Sequence, residues 1–173
     1  MRLTLSKPVA AAALLAASLV STQALAAAPA TAAPIGDLPQ ASAAEMADFR
    51  SQVDALYRLK VKAFADKDAA TIVEHFYAKD AVALGPEGKP TIGRDNFRKE
   101  YEQVVQLGIP TIEPVRTHVG KDAAWEWVNF RVDMADPKEK DFTFAMLFLF
   151  AKKDGKWISG GDSYAIGEFP KAD

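Results

Sequence analysis

Near residue 110 the spacing of large apolar side chains changes from about 3.6 residues to 2, which divides the chain into a helical half and a strand half. Ahead of the change, Met46, Phe49, Val53, Leu56, Tyr57, Val61 and Phe64 recur three and four residues apart, the stripe of one long amphipathic helix. Ser42 and Glu45 stand at its start as a capping-box pair, each able to satisfy the other's free amide. Asp68 is placed to cap a short second helix with Ile72, Val73, Phe76 and Tyr77 on one side. A brief strand over 81–84 follows, closed by the turn-rich run Gly85-Pro86-Glu87-Gly88-Lys89-Pro90. A third helix begins near Arg94, carries Phe97, Tyr101, Val104 and Val105, and stops at Gly108 and Pro110.

Beyond the change, strands are predicted over 112–119, 123–134, 142–151 and 157–165. Asp136-Pro137 separates the second from the third, and Asp154-Gly155 is a hairpin signal between the third and fourth. Three helices followed by an antiparallel meander define an α+β fold, with the helices on one face of a curved sheet. The strand over 142–151 is apolar on both faces: Phe142, Phe144, Met146, Phe148 and Phe150 on one, Ala145, Leu147 and Leu149 on the other. A strand with one wet face alternates with polar residues. Helices cover only one face, so the other is expected to meet a second copy of the chain in a homodimer; the alternative is a monomer with an apolar outer face.

The amino terminus has the order of a secretory signal. Arg2 and Lys7 precede an alanine-rich apolar run from Val9 to Val20, then a polar break, then Ala24-Leu25-Ala26 with small residues where a signal peptidase reads. The expectation is a signal peptide over 1–26 and a periplasmic or secreted protein. A membrane-spanning helix fits less well, because about 20 strongly apolar residues are needed and this run is shorter. Residues 27–41, mostly Ala, Pro and Thr, bury too little to offset their ordering entropy and read as a disordered leader. The folded domain is expected over 42–169, enough for one hydrophobic core.

Charge and composition exclude several classes. The chain has 21 basic and 23 acidic residues; without Arg2 and Lys7 the balance is 19 to 23, near −4, with no basic cluster for a nucleic-acid backbone. After signal cleavage no segment is expected to hold the protein in a membrane. There is no cysteine, and the two histidines, His75 and His118, are far apart, so no metal constellation emerges. No phosphate-cradling glycine loop or nucleophile triad is present, and no cofactor is expected.

The run from Asp66 to Glu100 resembles a known superfamily. Phe76-Tyr77-Ala78-Lys79-Asp80-Ala81, Gly93-Arg94-Asp95-Asn96-Phe97 and the late Gly155-Lys156-Trp157-Ile158 are similar, in order and spacing, to phrases shared by the nuclear transport factor 2-like, or SnoaL-like, superfamily. The resemblance spans nearly the whole domain over 42–169. It implies a cone: a curved antiparallel sheet wrapped around the long N-terminal helix, with two shorter helices, enclosing a pocket open at one end.

That superfamily includes enzymes as well as inert binding and assembly domains, so function must come from the site. The ketosteroid isomerase branch uses an aspartate base and two oxyanion donors, a tyrosine and a protonated aspartic acid. Those positions fall here at Gly85, Lys60 and Leu147, and none is matched. The same alignment directs Trp125, Trp127, Asn129 and Arg131 into the pocket, with Ala145, Leu147 and Leu149 beside them and Gly160, Asp162 and Tyr164 on the last strand. Glu126, Val128, Phe130 and Val132 then join Phe144, Met146, Phe148 and Phe150 outside; a one-residue slip inverts every assignment.

Asp162, a carboxylate on an apolar face, is the candidate acid or base; otherwise it pairs with Arg131 or sits at a solvated strand end. Lys60 lies on the inward stripe of the first helix, either reaching an acidic ligand or covering core with its stem. The leading expectation is an exported protein that binds a small apolar or aromatic molecule. The alternatives are a cofactor-independent isomerase, lyase or hydrolase using Asp162, and a dimerisation module with a filled cone.

Overall fold

The computed structural model describes residues 41–170; the expected signal peptide, and all of the expected leader but Ala41, lie outside the described residues. The first helix, α1 (Ala43–Ala65), starts at the capping box: the Glu45 amide donates to Ser42 Oγ at 3.3 Å and the Ser42 amide to Glu45 Oε2 at 2.8 Å. Its buried stripe includes Phe49, Val53, Tyr57, Lys60 and Phe64. Asp68 caps α2 (Ala69–His75), accepting from the Thr71 amide at 3.0 Å.

The helix α2 is shorter than its apolar pattern suggests. Tyr77 opens the strand β1 (Tyr77–Leu84), which therefore begins four residues before the expected start at 81. A backbone bond explains the change: the Ser159 amide donates to the Phe76 carbonyl at 3.0 Å, tying the chain to the sheet directly after the helix. The turn-rich run includes a further strand, β2 (Pro90–Ile92), paired antiparallel with β1. It lies at the sheet edge, where a proline interrupts no ladder.

Helix α3 (Arg94–Val104) precedes four long strands: β3 (Gly108–Val119), β4 (Ala123–Met134), β5 (Phe142–Lys153) and β6 (Lys156–Ile166). Gly108 and Pro110, expected to end the helix, belong to β3, which is the other edge strand. The hairpin between β5 and β6 turns at Asp154 and Gly155 with φ of 52° and 76°, the positive pair that matches strand twist.

The sheet runs in the order β2-β1-β6-β5-β4-β3. It is mixed rather than wholly antiparallel, because β1 pairs in parallel with β6. Gly161 makes that pairing possible: its φ is 145°, and a Cβ there would lie 1.9 Å from the Val82 carbonyl oxygen. The ladder between β5 and β6 also shifts register between Leu149 and Phe150, so Gly160 is an extra residue on β6.

The faces of β4 and β5 are the reverse of those expected. Glu126, Val128, Phe130 and Val132 point inward with Met146, Phe148 and Phe150, and all are buried. The rings of α1 select this face: Phe49 meets Phe150 edge-on at 5.5 Å and Tyr57 meets Phe148 at 5.6 Å. Phe148, fully buried, is core and not a dimer contact. Trp125, Trp127, Ala145, Leu147 and Leu149 consequently lie on the outer face. The extra residue at Gly160 exempts β6 from the inversion, so Asp162 stands opposite Phe148, and Tyr164 opposite Met146, on the inner face.

Candidate functional site

Between α3 and the inner face of the sheet lies a cavity of about 140 Å³. Seven of its fourteen lining residues are aromatic, and its polar groups are Glu100, Tyr101, Asp162 and Tyr164. Tyr101 comes from the buried side of α3, and Asp162 and Tyr164 from β6. Tyr164 packs edge-on against Phe144 at 4.8 Å, and its hydroxyl lies beside Gly85, where a Cβ would approach to 3.0 Å.

Behind the cavity wall is a buried polar network. Tyr77 donates to Asp162 Oδ2 at 2.5 Å, and the Lys60 ammonium donates to the Tyr77 hydroxyl at 2.8 Å. The Tyr101 hydroxyl lies 2.8 Å from that of Tyr77. A phenol has one proton, and with Asp162 ionised Tyr77 gives it to the carboxylate. Tyr101 must then donate to Tyr77, and its own oxygen keeps acceptor capacity on the cavity side. Among the described residues nothing hydrogen-bonds to Asp162 Oδ1, and the sole fully enclosed side-chain polar atom without a partner is Trp157 Nε1. Asp162 Oδ1 therefore opens onto the cavity.

Lys60 is fully buried, with its ammonium 4.2 Å from the centre of the Phe76 ring, 4.7 Å from Tyr77 and 4.9 Å from Phe148. Burial lowers its pKa from 10.5 to about 7, against the opposing pull of Asp162. Burial likewise raises the Asp162 carboxyl, with Lys60 and the Tyr77 hydroxyl opposing. Both shifts have one cause, the penalty on charge in an apolar interior, and one remedy, the short chain through Tyr77. Tyr77 and Tyr101 are held well above the usual phenol range by burial and then by the Asp162 charge. Burial also raises Tyr164, and Asp162, Glu100 and Glu87 add to it.

Local structure fixes these groups. The Arg94 guanidinium donates to the Tyr77 carbonyl at 2.8 Å and to the Glu74 carbonyl at 3.0 Å, pinning the junction of α2 and β1 to the start of α3. This is a physical role for the Gly93-Arg94 phrase noted in the sequence. Ser159 and Gly161 shape β6 just ahead of Asp162, Ser159 Oγ accepting from the Gly161 amide at 3.2 Å.

Of the residues singled out in the sequence, only Asp162 and Tyr164 reach the cavity. Trp125 stacks on His118 at 5.5 Å on the outer face. Trp127 packs edge-on against Phe169 at 5.2 Å, and Asn129 holds the Phe169 backbone at 2.8 and 3.1 Å, so the C-terminal segment covers this part of the sheet. Arg131 is exposed and pairs with Asp133 at 3.1 Å and Asp141 at 3.9 Å, not with Asp162. Leu147 is also outside; the cavity-facing residue of β5 nearest to it in the wall is Met146, which supplies no carboxylate.

Tyr77 and Tyr101 were missed as site residues because each sits on an apolar stripe and counts there as core. The available signal was a lysine on one such stripe with tyrosines on two others, polar tips that need one another once buried. Among the described residues no cluster of side chains is arranged to hold a metal ion, and no helix is long and apolar enough to cross a membrane.

A family model for the SnoaL-like domain matches residues 53–160, more than half of the chain, and the protein belongs to that family. No curated protein matches it in sequence. The fold is similar to a Mycobacterium tuberculosis protein of unknown function, with 16% identity, 75% of this chain and 78% of the other covered, and a TM-score of 0.65. A ketosteroid isomerase-like protein from Erwinia carotovora atroseptica shares 18% identity over 68% of this chain and 95% of its own, with a TM-score of 0.57. A nuclear transport factor 2-like protein of unknown function from Shewanella oneidensis shares 14% identity over 66% and 96%, with a TM-score of 0.58. These likenesses establish the nuclear transport factor 2-like α+β fold.

Proposed function

We propose that the protein is an exported carrier or sensor of a small, largely apolar molecule, bound in the cavity and oriented by Asp162, Tyr101 and Tyr164. The supporting observation is the carboxylate oxygen of Asp162 left without a partner in the wall of an aromatic cavity of about 140 Å³. An apolar hole of roughly 150 Å³ is enough to bind benzene, so the natural ligand would have about one ring. The cavity also counts against the filled-cone dimerisation module. The test is calorimetric titration with toluene and benzyl alcohol. Saturable binding that is lost when Ala83 in the cavity wall is replaced by Phe supports the reading, and no binding by either overturns it.

A second reading is a cofactor-independent isomerase, lyase or hydrolase. The observation that favours it is the chain from Asp162 through Tyr77 to Lys60, which can hold a carboxyl near the point of proton exchange. On this reading Asp162→Asn abolishes turnover of a substrate while leaving its affinity nearly intact. Export is tested by the mass of the chain recovered from the periplasm or medium, expected to begin at Ala27. A homodimer is proposed through the outer sheet face, where Trp125, Leu147 and Leu149 remain partly exposed. Sedimentation as a monomer across micromolar concentrations would remove that proposal.

A further inference from the structure

We propose that the cavity takes a small organic cation, a protonated amine on a single-ring apolar body, with Asp162 and Glu100 as its counter-ions. This rests on the reading that the cavity binds a ligand, and adds the ligand's charge.

Three observations converge. Among the described residues, the charged side chains in the cavity wall are the carboxylates Asp162 and Glu100. The nearby ammonium, Lys60, does not line the cavity; it reaches Asp162 from behind, through Tyr77. With both carboxylates ionised, the three groups sum to one negative charge when Lys60 is charged and to two when it is neutral. The acidic balance therefore holds in either state, and Glu87 adds to it at Tyr164. A carboxylate or phosphate ligand would meet this field with no basic group in the wall to receive it.

The hydrogen-bonding capacity has the same sense. Asp162 Oδ1 accepts only, and the Tyr101 proton is committed to Tyr77 whenever Asp162 is ionised, so this part of the cavity wall calls for donors. An ammonium brings up to three of them.

The walls suit a cation as well. Ring faces attract cations, most strongly where water is excluded. The same interior already holds one alkylammonium: Lys60 lies among aromatic rings that include Tyr101 at 5.1 Å and Phe130 at 5.7 Å. Both of those rings also line the cavity. A ligand amine would thus share the rings that accommodate Lys60 and face the unused side of the same carboxylate.

The test compares three ligands of one size at pH 7 by calorimetric titration: benzylamine, benzyl alcohol and benzoate. Benzylamine is expected to bind at least tenfold more tightly than benzyl alcohol, and benzoate not measurably. Asp162→Asn with Glu100→Gln should erase the preference, with benzylamine binding no more tightly than benzyl alcohol does to the same variant. Should Asp162→Asn fail to fold, Glu100→Gln alone, at an exposed position, should narrow the preference at least threefold. Benzyl alcohol or benzoate binding as tightly as benzylamine would overturn the charge inference and leave the small-molecule reading standing. Silence from all three ligands would overturn both.

Discussion

Two buried carboxylates face the helices from the same sheet, Glu126 on β4 and Asp162 on β6, and they are compensated differently. Both oxygens of Glu126 are taken: Oε1 by Arg50 at 2.6 Å and Thr117 at 2.5 Å, Oε2 by Tyr57 at 2.6 Å. Its partner guanidinium reaches water, with 39% of the Arg50 side chain exposed. Asp162 uses one oxygen, its cation is one hydroxyl away and fully buried, and its other oxygen opens onto a cavity. Glu126 is complete as a strut joining α1 to β3 and β4. Asp162 retains bonding capacity that the protein itself does not use. A buried ion pair is weak evidence for stability, so what marks a site is the oxygen left open and not the burial.

The largest effect that can break this contrast is loss of the Asp162 counter-charge. Asp162→Ala leaves the Lys60 ammonium buried among rings and should lower unfolding free energy at pH 6 by about 3 kcal/mol. Adding Lys60→Met should recover most of it, and denaturant melts of the three proteins decide. If the second change recovers nothing, the two groups are not a pair.

A pH series separates the regions next. The folded pKa of Lys60 is about 7 against 10.5 for an ordinary lysine, so between those values the unfolded chain binds more protons. Stability should therefore rise with pH from about 7 towards 10, by about 1 kcal/mol per pH unit, until the raised tyrosines oppose it. Lys60→Met should flatten that rise, and Glu126→Gln should leave it in place. Glu126→Gln itself should lower stability by about 2 kcal/mol through mismatched donors, with no change in affinity for a cavity ligand. The smallest effect is on the outer face. Asn129→Ala should release the Phe169 backbone at about 1 kcal/mol, measured by thermal melting, and disturb neither carboxylate.

Much of the backbone was legible because capping boxes, period-3.6 stripes and positive-φ turn pairs are local signals. The long helix from Ala43 came from its cap and stripe, and the strand from Ala123 to Met134 from its period of 2 and the Asp136-Pro137 break after it. The inner face did not, because a period of 2 defines two faces without naming the buried one, and β5 is apolar on both. The slip inverted β4 and β5, and the extra residue at Gly160 kept Asp162 inward despite it. Edge strand β2 was hidden by Pro90, whose turn-like surroundings outweigh three paired residues. Of the site, Asp162 and Tyr164 could be read from the sequence. Its other half was overlooked, since Lys60 on a helix stripe looks like a stem with a solvated tip, and Tyr77 looks like the end of a helix.

The most direct measurement is carboxyl-carbon NMR of Asp162 and Glu126 during titration with benzyl alcohol, a neutral ligand of cavity size. A saturable shift of the Asp162 signal is expected, and none at Glu126. An unmoved Asp162 signal while the ligand saturates the protein, or equal shifts at both carboxylates, would contradict it.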